Sequence, residues 1–349
     1  MSPLAHTEFP DERALRVLEI QNDLILPPRL GNLHVTWEHV LFWKWISGST
    51  IGFVTSNGVF NWSISTRRTS PNAVMNRDPT LRNARVVDYM VSSDSNWHAL
   101  VCHRADARNV SGVIQLFNRE RDTNHLIEGV AAAFLDVRVD GAPSLVKLLA
   151  TAGKGDGTSD VCDFLGQISI RHDFKFISLP ASQLRVVELE QPANPVFELK
   201  SLHIDVPRST PGDYPLTVLP SNVDGIIYIL TKYGLLHLYD IPAGKHLHTT
   251  KISQESILSA AELDPTGAVI CTNSVGSIFS VSVDREALVS YVLATLHEEK
   301  LAMQLASRAD LPGAEYLFFQ HFQQCVLNGK SEEAATLAAK SPRVRVMSG

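Results

Sequence analysis

The chain has 349 residues, 44% of them apolar, with a formal net charge of −6 and a pI near 6.1. That is enough apolar material for a sizeable core, and the absence of a basic stripe with interleaved aromatics argues against a nucleic-acid binder. No apolar run approaches the ~20 residues a membrane span needs, and no signal-type segment opens the sequence. Cys102, Cys162, Cys271 and Cys325 are scattered without metal-ligand spacing and read as reduced thiols.

In chain order, residues 1–35 are punctuated by Pro3, Pro10, Pro27 and Pro28 and fit no repeat. They read as a divergent N-terminal arm whose amphipathic piece, residues 12–26, suits helix or strand. Residues 36–64 then hold three strand-like runs, 40–46, 51–55 and 59–64, with a turn at Ser56-Asn57-Gly58. Asn followed by Gly predicts a hairpin turn with positive φ. In the third run Phe60, Trp62 and Ile64 share one face, which is expected to pack on a neighbouring sheet.

The pattern returns. Residues 226–240 carry Thr231 three positions before Gly234, followed by an alternating run, and residues 268–281 repeat it with Asn273 before Gly276. From Gly234 to Gly276 is 42 residues, the size of one four-stranded propeller blade. Looser copies occur at 99–102 with 112–117, and at 183–189. A mainly β, WD40-like β-propeller with about five recognisable blades is predicted over residues 36–286. Residues 152–181, beginning Gly153-Lys154-Gly155-Asp156-Gly157-Thr158, break the rhythm. They lack the spacing of a phosphate-binding loop and read as a blade-rim insertion.

After Val283 the apolar period changes from two to 3.6. Leu288, Val292, Leu293 and Leu296 share a face, and further helical stretches follow through residue 340. Ser331 before Glu332 and Glu333 predicts a helix N-terminus. Residues 287–349 thus read as a helical zigzag, the start of an α-solenoid.

A propeller feeding into a helical zigzag resembles the clathrin heavy-chain family, and the residues carry the resemblance. Phe42-Trp43-Lys44-Trp45-Ile46-Ser47 is similar to the family's FWKWIS run. Residues 230–240, LTKYGLLHLYD, are similar to its ITKYGYIHLYD. Ile114-Gln115-Leu116-Phe117, Ile127-Glu128-Gly129, Leu311-Pro312-Gly313-Ala314-Glu315 and residues 328–335 follow in the same order, so that about four-fifths of the chain is covered.

The family's propeller has seven blades, and FWKWIS falls in the third. At residue 42 that motif comes too early for two preceding blades, so the chain is expected to look truncated at both ends. Leg, light-chain segment and trimerisation hub are likewise not expected, nor light-chain binding or trimerisation. An incomplete propeller should expose a sheet edge at its first blade (36–64) or its last (257–283), with self-association as a consequence.

The resemblance implies a non-enzymatic coat protein of clathrin-mediated vesicle transport and endocytosis at the cytoplasmic face of coated pits and vesicles. It would take short linear motifs of adaptor proteins as extended peptides and meet the membrane only through them. The family's clathrin-box groove has no counterpart here, only Arg29 falling nearby. An arrestin-type groove carries over as Trp97, Leu116, Arg121 and His125, with His125 where the family has Gln. A weaker central surface carries over as Arg85 and Val87, Arg85 replacing a Gln. The plain alternative makes Trp97 and Leu116 blade core and Arg121 a solvated loop charge.

A second class of reading is a propeller-plus-solenoid scaffold of another coat or tethering complex. Catalysis finds no support in the sequence: no Gly-x-Ser-x-Gly elbow or His-Glu-x-x-His helix occurs. His237, His246 and His248 cluster without a carboxylate or Cys at ligand spacing, so no cofactor or metal site is expected. His246 and His248 are predicted to share one strand face.

Overall fold

The computed structural model describes residues 19–21, 24–26, 40–63, 71–106, 109–139, 144–153, 182–189, 197–207, 210, 212–221, 224–263 and 267–341. Near the N-terminus β1 (Glu19–Gln21) and β2 (Leu24–Leu26) form an antiparallel hairpin, which places part of the 12–26 segment in strands. Five antiparallel meander sheets of propeller-blade type follow, then short helices. The chain divides into two compact units, residues 1–127 and 128–349.

In the first unit, sheet one consists of β3 (Phe42–Ser47), β4 (Thr50–Val54), β5 (Gly58–Ser63) and β6 (Asn72–Asn76). Sheet two consists of β7 (Arg85–Val91), β8 (Trp97–Asp106), β9 (Asn109–Asn118) and β10 (Thr123–Glu128). The hairpin of β4 and β5 forms as the sequence predicts, but neither Asn57 nor Gly58 adopts positive φ. Thr55 closes the turn instead. Its amide donates to the Gly58 carbonyl (2.9 Å), and its hydroxyl accepts from the amides of Gly58 (3.1 Å) and Asn57 (3.2 Å). A threonine hydroxyl standing in for a backbone acceptor makes a four-residue connection as tight as a two-residue one.

The faces of sheet one also differ from expectation. Val54 and Val59 pair across the hairpin and are fully buried, in a core shared with Tyr89, Leu100, Cys102 and Phe117 of sheet two. The face turned toward sheet two therefore carries Val59 and Asn61, and the Phe60/Trp62 face points the other way. Gly52 explains the choice. A Cβ there would stand 2.5 Å from the Tyr89 ring, so only glycine lets that aromatic lie flat on the strand. The Tyr89 hydroxyl then reaches Asn61 Oδ1 (3.0 Å) and His98 Nδ1 (2.8 Å).

The second unit holds sheet three, β11 (Ala131–Val137), β12 (Val146–Gly153), β13 (Gln183–Glu188) and β14 (Lys200–His203), and sheet four, β15 (Pro215–Ser221), β16 (Ile226–Thr231), β17 (Leu235–Asp240) and β18 (Lys245–Lys251). Sheet five has three strands among the described residues, β19 (Ile257–Leu263), β20 (Ala268–Asn273) and β21 (Ile278–Val281). Most of the expected insertion, 154–181, lies outside the described residues.

The two inner strands of sheet four are buried along their whole length. One face (Ile227, Ile229, Tyr239) meets the small residues Ala131, Ala133, Ala150 and Ala152 of sheet three. The other (Tyr228, Leu230, Leu236, Leu238) meets Ile257, Val269 and Cys271 of sheet five together with the helices. Near-continuous apolar runs are what a sheet buried on both faces requires.

The helices are α1 (Leu288–Tyr291), continued by a π turn at Val292–Leu296, then α2 (Glu299–Ala309), α3 (Glu315–Leu327) and α4 (Ser331–Lys340). Val289, Val292, Leu305 and Ala306 are fully buried against sheets four and five. α4 begins at the predicted place, but Lys330 occupies the cap and Ser331 is the first helical residue, with no side-chain capping bond. Lys330 instead reaches both Glu333 oxygens at 3.0 Å.

Candidate peptide-binding site

Sheet two carries all four residues of the expected arrestin-type group. Trp97 opens β8 opposite Asn118, and Leu116 of β9 lies opposite Ala99, so Trp97 and Leu116 share a face. Gln115 Nε2 donates to Asn124 Oδ1 (3.0 Å) on the reverse face, which leaves Leu116 and His125 on the same side as Trp97. Arg121 sits in the turn between β9 and β10, exposed, its amide donating to Asn118 Oδ1 (2.8 Å). The Arg119 amide donates to the Asn96 carbonyl (2.8 Å), which ties this turn to the β7–β8 turn. The fold thus brings Trp97, Leu116, Arg121 and His125 to one end of one sheet.

Their environments differ. Trp97 is 2% exposed and Leu116 0%, so both belong to the packed interior, as the plain alternative holds. His125 is half-buried. The Trp97 indole N–H is buried and finds no hydrogen-bond partner among the described residues. A buried donor without an acceptor is costly, and a peptide carbonyl is one group that would relieve it.

Arg85 and Val87 lie apart from that group. Arg85 starts β7 opposite His103, at the far end of the sheet from Trp97, and is exposed. Val87 is the extra residue of a β-bulge between Val86 and Asp88. Arg29 lies outside the described residues.

Sequence reasoning missed the polar cluster behind the site. His98, next to Trp97, is 2% exposed and stacks on Tyr89 with ring centroids 6.1 Å apart. Burial, helped by the Arg119 charge, pulls its pKa down to about 4. Burial likewise raises the Tyr89 hydroxyl above its ordinary value. Both groups stay neutral, which fits a positioning network better than proton transfer. The only available signal was a His one residue from the candidate Trp, and alternation alone assigns it to the reverse face.

The second histidine cluster also departs from expectation. A β-bulge between Leu238 and Tyr239 sets His246 opposite Tyr239 but His248 opposite Leu238. His246 packs edge-on against the Tyr239 ring (5.1 Å), while His248 Nδ1 meets the Tyr291 hydroxyl of α1 (3.0 Å). The extra residue of the bulge shifts the alternation, so the two histidines do not share a face. His237 is buried and bonds Thr249 Oγ1 (2.9 Å). No group of three metal-ligating side chains occurs among the described residues, and no described helix is long and apolar enough to cross a membrane.

Residues 310–348 match the family described as Clathrin-H-link. The chain is 30% identical over 314 residues to the probable clathrin heavy chain of Schizosaccharomyces pombe, covering 89% of this chain and 17% of that protein. It is 32% identical over 312 residues to probable clathrin heavy chain 1 of Caenorhabditis elegans, covering 89% and 17%. Clathrin heavy chain 2 of Homo sapiens is 30% identical over 312 residues, covering 89% and 18%. The chain therefore spans about a sixth of the length of these relatives. The blade-type sheets and the helices after them agree with these matches, and a scaffold of another coat or tethering complex is not favoured. Over the length it spans, the chain belongs with the clathrin heavy chains, as a propeller and linker segment.

Proposed function

We propose that this chain is a non-enzymatic, clathrin-type coat element that holds short linear motifs of adaptor proteins at the cytoplasmic face of coated membranes. The binding face is the end of sheet two marked by Trp97, Leu116, Arg121 and His125. The observation that carries this reading is the buried, unpartnered Trp97 N–H beside the exposed Arg121 turn. The turn offers a cation for an acidic side chain, and the Trp97 N–H, covered in the closed sheet end, becomes a donor for a main-chain carbonyl when that end opens to a peptide. Leu116, fully buried, backs the apolar wall from within the sheet, and His125 adds a hydrogen-bonding edge. Contact with the membrane is through the adaptors, and nothing in the reading calls for nucleic acid, metal or cofactor.

Fluorescence polarisation with a labelled arrestin-type peptide tests it. Arg121→Glu should weaken binding at least tenfold while leaving the far-ultraviolet spectrum unchanged, and Arg121→Lys should retain part of it. Trp97→Phe, which keeps the ring and deletes the donor, should also weaken binding. Equal binding by wild type and Arg121→Glu would remove the proposal.

A further inference from the structure

Sheets one to four each run to a fourth strand, so that their third strands, β5, β9, β13 and β17, are paired on both edges. Sheet five stops at three strands among the described residues, and its third strand, β21, pairs there only with β20. The stretch that follows does not supply a fourth. After Val283 it turns into α1 through Asp284, whose carboxylate accepts from the amides of Glu286 (3.0 Å) and Ala287 (3.2 Å). The outer edge of β21 is open to solvent: Ile278 is 58% exposed, and Ser277, Ser280 and Ser282 are exposed as well.

Hydrogen bonding fixes which backbone groups are open. The Asn273 amide donates to the Ser277 carbonyl (3.1 Å), so Ser277, Phe279 and Val281 turn their backbone groups toward β20. In an antiparallel ladder the residues between them turn theirs outward. Ile278 and Ser280 thus present N–H and C=O at the free edge, and Ser282 continues the row. The side chains of Phe279, Val281 and Val283 lie half-buried on the core shared with the helices. Residues 277–283 read Ser-Ile-Phe-Ser-Val-Ser-Val, with no charge, proline or glycine. Charges and prolines are the usual protection of an exposed edge, and the outermost strand of sheet four, β18, carries Lys245, His246, His248 and Lys251. β21 has the composition of an interior strand at the position of an edge. An uncharged run of this length and β-propensity is the kind that pairs with its own copy.

We propose that β21 is the pairing edge of a dimer, adding antiparallel to β21 of a second copy about a twofold axis at Ser280. This register sets Ile278 opposite Ser282 of the second copy and Ser280 opposite its equivalent, so each outward N–H and C=O finds a partner. It places Phe279 against the second copy's Val281 on the core side, an aromatic–β-branched pair, and no charges meet. Centring the axis on Phe279 would instead bring Ser282 against the Gly276 turn and leave it unpaired. The contact is isologous, so it closes at two copies and does not propagate. It covers one strand edge and little side-chain surface, far less than a stable interface, so association is in the micromolar range or weaker.

Sedimentation and hydrogen exchange on the purified chain test it. Weight-average mass should rise from monomer toward dimer between about 1 and 100 µM, and no further. Over the same range the amides of Ile278, Ser280 and Ser282 should gain protection, while those of Phe279 and Val281 stay protected throughout. Ser280→Pro deletes an N–H that faces away from β20, so the ladder should survive and the dimer be lost. Ser280→Lys and Ser280→Glu should each be monomeric, because like charges would face each other across the axis, and an equimolar mixture of the two should dimerise. Ser280→Arg and Ser280→Asp repeat the design should either charge variant lose its far-ultraviolet spectrum. A monomeric wild type overturns the proposal, and slow exchange at Ile278 and Ser280 in that monomer would show the edge already held by another segment of the same chain. Growth beyond dimer, a Ser280→Pro or Ser280→Lys chain that still dimerises, or a mixture of the charge variants that stays monomeric also overturns it.

Discussion

His98 and His237 are the residues at which the fold is most sensitive to solution conditions. Burial is the first cause of each depressed pKa, both falling from 6.5 to about 4; the second is Arg119 for His98 and His246 for His237. Because the folded value lies below the unfolded one, neither imidazole affects stability above pH 6.5. As pH falls through the window from 6.5 to about 4, the unfolded chain takes up the proton and the folded chain does not. Each histidine then withdraws up to about 1.4 kcal/mol per pH unit. Denaturant melts at pH 7.5 and pH 5 should differ by about 1–2 kcal/mol for each, and His98→Gln or His237→Gln should flatten the profile. Equal midpoints at the two pH values would show that water or relaxation solvates these rings when charged.

At the scale of the element, the recurring Thr/Asn-to-Gly turn decides both what the sequence reveals and what it hides. The Thr231 hydroxyl accepts from the Leu235 amide (3.0 Å) and the Asn273 side chain from the Ser277 amide (2.9 Å), so the repeated residue is the turn's own cap. That local chemistry is why the hairpins were legible. Gly234 adds a nonlocal constraint: φ is +83°, and a Cβ would stand 2.5 Å from the Ser253 carbonyl. Gly234→Ala should cost about 1–3 kcal/mol, read as a lower melting midpoint; an unchanged midpoint would mean the β18–β19 connection yields freely.

The bulges at Val87 and after Leu238 were not legible, because one extra residue leaves composition unchanged while reversing the alternation. The direction of sheet one was hidden for a different reason, since it depends on Gly52 meeting a tyrosine 37 positions away. For the site, spacing placed Trp97 and Leu116 on strands, but their burial comes from tertiary packing that no local pattern encodes.

A clamp joins helix to sheet at the same scale. Arg308 of α2 pairs with Asp240, which is fully buried, and donates through Nε and Nη2 to the Asp224 carbonyl (3.0 and 2.9 Å). Arg285 bonds Asp224 and the Ala309 carbonyl (2.7 Å). Arg308→Ala would strand the Asp240 carboxylate in the interior, and about 3–5 kcal/mol should be lost. The double variant Arg308→Met/Asp240→Asn should recover most of it. If the single and double variants melt alike, the pair contributes packing alone.

For the molecule as a whole, the change of period near Val283 suggests a domain boundary, yet the packing does not separate strands from helices there. Leu288, Val292, Leu301, Leu305 and Phe318 share one core with Tyr228, Leu230, Leu236 and Val269 of sheets four and five. α4 lies at the margin of this core: Leu337 packs against it half-buried, and Ala334 is its only buried residue among those described. Elements that share a core open together, and those with few buried contacts open first. Native-state hydrogen exchange should therefore give amides in β16, β17, α1 and α2 a common opening free energy, and those of α4 a much lower one. A chain shortened to end after α3 should keep the exchange of β16 nearly unchanged, whereas ending it before α1 should unprotect β16 altogether. If β16 stays protected without α1 and α2, the helices are passengers on a self-sufficient sheet, and the linker would be free to pivot where this packing says it cannot.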